Sequence, residues 1–158
     1  MENSTINEQS KAPLEPIPII LCGKSLETGN QVTHLLRPEF EVIHFIASFE
    51  DAQANFADLI AGRGPKSPSS NSIGSHDYKK PPRAIVFGRA FDPNHVIQLN
   101  QIYRGIGNGP VAWIAGDSDV KPPGNPGPGY AEKAADNVKR AFARWKEAGG
   151  ITEDIVYY

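Results

Sequence analysis

Within the segment Ile17 to Leu36, the apolar run Ile19-Ile20-Leu21-Cys22 breaks at Gly23, and apolar residues then return at helical spacing. A buried strand leading through a glycine turn into a helix is how phosphate- and nucleotide-binding α/β folds begin. This fixes the expected architecture and points to one end of a sheet. It leaves the chemistry open, and the rest of the chain carries no complete catalytic motif.

The same pattern repeats down the chain. Pro18 to Cys22 reads as the first strand, with proline tolerated at its start. A helix follows from Glu27 to about Arg37, its inner face made by Val32, Leu35 and Leu36 and its end set by Pro38. Glu41 to Ala47 is a second strand. Ser48 and Asp51 form a capping box for a second helix, which Phe56, Leu59 and Ile60 anchor and Gly62 closes. Arg83 to Gly88 is a third strand. Asp92-Pro93 starts a third helix, with Val96, Leu99, Ile102 and Tyr103 as its apolar positions. Pro110 to Ala115 is a fourth strand. Tyr130 to Ala148 is the longest helix, with Ala131, Ala134, Val138, Ala141, Phe142 and Trp145 in a stripe. The terminal Ile155 to Tyr158 reads either as a short fifth strand or as an extended tail.

Strict β-α alternation implies a parallel sheet with right-handed crossovers and helices on both faces. The expected fold is therefore a three-layer α/β/α domain, Rossmann-like or flavodoxin-like, with a mostly parallel sheet of four to five strands. Residues 1–16 read as a disordered tail and 17–158 as one domain with long loops at 64–82 and 116–129. The 64–82 loop is rich in Ser, Pro and Gly and is expected to be mobile over Lys66 to Lys80. With 158 residues, one domain's worth of chain can bury a real core.

In a 2-1-3-4 strand order the switch point, where ligands of such sheets bind, lies between strands one and three. The residues expected there are Gly23, Lys24, Ser25 and Thr28 on one side and Gly88 and Arg89 on the other. Lys24 and Arg89 together are the charges that an anion clamp would use, although two solvated cations at sheet ends are the commoner outcome. Glu27 works against an anion.

No cofactor motif is complete. G-x-G-x-x-G is represented only by Gly23 and Gly29, without the middle glycine, and the second strand does not end in an acidic residue. Gly23-Lys24-Ser25 matches only the tail of a P-loop. Ser25 to Asn30 partly matches a flavodoxin phosphate loop with one residue too many. NAD(P) and FMN thus stay open as cofactors, with neither supported by a full signature. A receiver domain is excluded because the required acidic positions after strands one and three are not acidic. Cys22, the lone cysteine, reads as a small buried hydrophobe. His34, His44, His76 and His95 have no metal-ligand spacing, so no metal site is expected. His76-Asp77 reads as part of a solvated loop, with a lid over the cleft as the sharper alternative.

A net charge of -2 gives no general attraction to nucleic acid or an anionic membrane. No apolar run reaches the length of about 20 residues that a membrane helix needs. Met1 to Glu15 lacks an apolar leader core, so the expected location is cytoplasmic.

Ile19-Ile20-Leu21-Cys22-Gly23-Lys24, Arg37-Pro38-Glu39-Phe40-Glu41-Val42-Ile43-His44-Phe45 and Pro81-Pro82-Arg83-Ala84-Ile85-Val86 resemble segments of small ascomycete accessory proteins with an NAD(P)-binding-like core. Some of these are encoded in secondary-metabolite clusters, fusaric acid biosynthesis among them. The resemblance spans most of residues 17–148. It implies a role in a mycotoxin pathway beside its biosynthetic enzymes, and it supplies no catalytic residues. The expected function is an accessory protein of secondary metabolism whose Rossmann-like domain binds a small anionic ligand. The alternatives are a small NAD(P)- or FMN-dependent enzyme or carrier, and a non-catalytic interaction protein.

Overall fold

The computed structural model describes residues 15–66, 71–117 and 128–158. The elements alternate throughout: β1 (Ile17–Cys22), α1 (Leu26–Leu35), β2 (Phe40–Ile46), α2 (Phe49–Ile60), β3 (Ala84–Phe87), α3 (Pro93–Tyr103), β4 (Ala112–Ala115), α4 (Tyr130–Glu147) and β5 (Ile155–Tyr157). The sheet order is β2-β1-β3-β4-β5, and every pair is parallel. This is a three-layer α/β/α fold with flavodoxin-like strand order, and β5 resolves the open question about the last residues in favour of a strand.

Local chemistry explains the helix starts. Ser25 Oγ accepts the Thr28 amide at 3.1 Å, Ser48 Oγ accepts that of Asp51 at 3.1 Å, and the Asp92 carboxylate accepts that of Asn94 at 2.9 Å. Each bond satisfies one donor that a helix leaves unpaired at its first turn. The capping box at Ser48 is one-sided, since the Asp51 carboxylate takes the Asn55 amide at 2.6 Å instead.

Alternation along each strand sorts side chains to two faces. The neighbouring residues Phe45, Leu21, Val86 and Ile114 form one row across four strands, facing α1 and α4. The next row, Ile46, Cys22, Phe87 and Ala115, faces α2 and α3. A register shift between Ile19 and Ile20 against β2 sets Phe45 beside Leu21. Each fully buried large side chain contributes about 1.5–3 kcal/mol, so the two rows and their helices supply the main driving force.

Two expectations need correction. Residues 71–80 do not behave as a free loop but lie along the outer edge of β2. Ser75 N–H donates to Val42 O at 2.8 Å, His76 N–H to Ile43 O at 2.9 Å, and Ile73 is buried. Covering an edge strand in this way removes an exposed row of backbone donors and acceptors. Gly74 has φ +100°, and a Cβ there would lie 3.0 Å from the Ile43 carbonyl, so only glycine permits this approach. The remainder of the expected mobile stretch, 67–70, falls outside the described residues, as do most of the tail and 118–127 of the second loop. The second correction concerns α3: Ile102 is exposed, and Asn100 is buried in its place, donating to Glu153 O at 2.8 Å.

Candidate functional site

A cavity of about 270 Å³ opens beyond the carboxyl ends of β1 and β3. All six expected residues line it: Gly23, Lys24, Ser25, Thr28, Gly88 and Arg89. Its floor is the sheet row Phe45, Leu21 and Val86, and its walls are Val32 of α1 and Ala134 and Val138 of α4. Tyr130 and Tyr158 complete the lining.

The entry turn is tightly made. Gly29 lets the first turn of α1 lie against the Phe45 ring; a Cβ there would overlap Cε1 and lie 2.7 Å from Cζ. The Ser25 and Thr28 positions follow from this seat and from the Ser25 cap. The same turn does not fit a dinucleotide pyrophosphate. Counted from Gly23, Ser25 and Thr28 stand where the second and third glycines are needed, Gly29 falling one residue late, and the Ser25 hydroxyl already occupies the Thr28 amide.

The two cations do not converge. Lys24 leans toward β2: its Nζ lies 4.9 Å from the Phe91 ring centroid and 3.5 Å from Ala47 O. Arg89 leans the other way, toward β4 and β5. Its guanidinium carbon lies 4.7 Å from the Tyr158 ring centroid, and its stem packs on Gly116. Both line the cavity, but with their heads turned apart they form no clamp. Tyr158 donates its hydroxyl to Phe87 O at 3.3 Å. Burial pushes its phenol up to about 12; the Arg89 guanidinium acts in the opposite sense, and Tyr130 adds to the rise. The phenol is therefore neutral throughout the physiological range.

Tyr130 and Tyr158 were not legible as site residues. Tyr130 read as a helix start, and Tyr158 as the end of an ambiguous segment. Only the pairing of β5 with β4 (Ala115 opposite Tyr157) carries Tyr158 to the cavity.

Of the other reactive groups, Cys22 also borders the cavity and the histidine cluster of β2 lies elsewhere. Cys22 is buried, and burial and then the Asp51 carboxylate hold its thiol well above the ordinary range, so it is packing and not a nucleophile. At the β2 edge His44 Nδ1 lies 2.8 Å from Tyr78 Oη, and the His76 ring stacks on Tyr78 at 5.9 Å. This cluster ties residues 71–80 to the sheet, and it answers the lid alternative: His76 faces the strand edge. Burial lowers the His44 pKa, Asp51 opposes this, and His76 reinforces it. Its residues are too far apart in sequence for any spacing rule to join them. Among the described residues no group of three or more His, Cys, Asp or Glu is placed to hold a metal ion. None of the described helices is long and apolar enough to cross a membrane.

Among curated proteins the chain is similar to Kojic acid related protein 6 of Aspergillus oryzae, 29% identical over 147 residues, which covers 92% of this chain and 88% of that protein. No family model and no solved structure matches significantly. The similarity therefore lies with a fungal protein named for a secondary metabolite, which supports an accessory role in such metabolism in general terms. The finding does not extend to the fusaric acid branch of the resemblance.

Proposed function

We propose that this chain is an accessory protein of fungal secondary metabolism that holds a small, mainly apolar metabolite with one anionic group in the cavity beyond β1 and β3. The observation that carries this reading is the cavity itself: an apolar floor and walls, with Lys24, Arg89, Tyr130 and Tyr158 among the lining. A deep apolar body with few polar groups is the usual make-up of a small-molecule site, and the crevice at a topological switch point is its usual place. At about 270 Å³ it lies just below the range of roughly 300–1,000 Å³ typical of drug-sized ligands, which suits a single-ring compound. The name of the Aspergillus relative brings kojic acid, a compound of that size, to this chain as a pathway class. Binding without catalysis is favoured because burial keeps the Cys22 thiol protonated and Ser25 serves as a helix cap, so the nucleophiles that line the cavity are not activated.

Native mass spectrometry of the protein after incubation with an extract of a producing fungus tests the reading. The unaltered protein should retain a small metabolite, and Ala134→Trp, which fills the cavity from the half-buried face of α4, should not. The identity of the retained compound decides between a kojic acid, a fusaric acid or another pathway. Equal retention by both proteins, or none by either, overturns the reading and leaves a pure interaction protein.

A further inference from the structure

Among the described cations Arg89 is set apart by one atom: its Nε is buried without a hydrogen-bond partner. A buried guanidinium N–H left unpaired is costly, and native structures seldom keep one without a use. Packing holds it in place. A Cβ on Gly116 would overlap Arg89 Cγ and lie 2.9 Å from its Cα, so the stem fits only over glycine. The Tyr158 ring supports the guanidinium from the other side. Tyr158 cannot supply a counter-charge, because its hydroxyl is neutral and already donates to Phe87 O. Lys24, by contrast, is exposed and already has the Phe91 ring and the Ala47 carbonyl as neighbours.

We infer that Arg89, and not Lys24, is the anion receptor of this cavity, and that its ligand is a planar ring acid. The acid places the two oxygens of a carboxylate on the guanidinium. Its ring lies on Phe45, Leu21 and Val86 between α1 and α4. This rests on the small-molecule reading above and specifies its ligand. A planar fork of N–H donors matches a planar oxygen pair better than it matches a tetrahedral phosphate or a lone charge. The aromatic rings of Phe45, Tyr130 and Tyr158 favour a flat ligand body.

Calorimetric titration with para-butylbenzoate and its neutral counterpart para-butylbenzamide separates the parts of the claim. The unaltered protein should prefer the acid by about 10- to 100-fold, the size of one charge-assisted bond in a desolvated site. Arg89→Gln keeps a stem over Gly116 and removes the charge. It should bind the two probes within about threefold of each other while binding the amide as before. Lys24→Ala should keep the full preference. Gly116→Ala, which alters no charge, should also lose it by displacing Arg89. A preference that survives Arg89→Gln, or vanishes in Lys24→Ala, overturns the assignment while leaving the cavity reading intact. Failure of the unaltered protein to bind either probe refutes the cavity reading and the assignment with it.

Discussion

Replacing Glu153 with alanine should lower folding stability by about 3 kcal/mol, although the residue lies on a short connection between α4 and β5 and no pattern marks it. Its Oε1 accepts the Gly105 amide at 2.9 Å and the Trp113 indole N–H at 3.2 Å; its Oε2 accepts the Val111 amide at 3.3 Å. Trp113 and Val111 are buried, whereas Gly105 is exposed. Water can replace the acceptor at Gly105 but not readily at the other two. Each buried donor left unpaired costs about 1–3 kcal/mol, so two give about 2–6, and partial relaxation brings the figure to about 3. For a domain of this size each kcal/mol moves Tm by roughly 2–4 °C, so a loss of about 6–12 °C is expected. Glu153→Gln keeps one acceptor oxygen but turns an amide donor toward an N–H, and should fall between the two. Urea unfolding followed by tryptophan fluorescence measures both variants, with Trp113 reporting on the site itself. Asp154→Ala is the internal control: its bond to Arg104 at 2.7 Å is exposed on both sides and should leave Tm nearly unchanged. A Glu153→Ala protein that melts within about 2 °C of the unaltered one would refute the view that this carboxylate latches β4 to the segment before β5.

Three further outcomes follow from the geometry. Gly29→Ala should destabilise by about 1–3 kcal/mol, because the clash with the Phe45 ring outweighs the better helix propensity of alanine, worth about 1 kcal/mol; urea titration showing a gain would count against that contact. The His44 pKa lies below its ordinary value in the folded protein, so the unfolded chain takes up the proton first; stability is complete above about pH 6.5 and declines as pH falls through the lowered folded pKa. In His44→Gln this part of the pH slope should be missing, and an identical slope in denaturant midpoints at pH values above and below about 6.5 would exclude His44 as its source. Cys22 should be unreactive toward an aromatic disulfide reagent until the protein unfolds, and prompt labelling of the native chain would show that the C-terminal end of β1 is open.

What the sequence by itself determined was everything that local periodicity encodes. The runs around Ile19, Ile43, Ile85 and Ala112, separated by helical stripes, dictated a parallel sheet, because only crossover helices can join such strands. The caps at Ser48 and Asp92 marked helix starts, because a side chain reaching an amide two or three residues on needs no distant partner. The switch point followed from strand order alone, and with it the row Gly23, Lys24, Ser25, Thr28, Gly88 and Arg89. Tertiary structure decided what those side chains do. Lys24 and Arg89 both reach the cavity, but their heads separate because Phe91 and Tyr158, far apart in the chain, draw them to opposite sides. Tyr158 enters only because β5 pairs with β4, a contact that a three-residue strand is too short to announce. Residues 71–80, which composition marks as loop, are held by backbone bonds to β2 and by His44 on Tyr78. Such pairings join residues tens of positions apart; a linear pattern carries each partner's character, and only the packed sheet and helices select which partners meet.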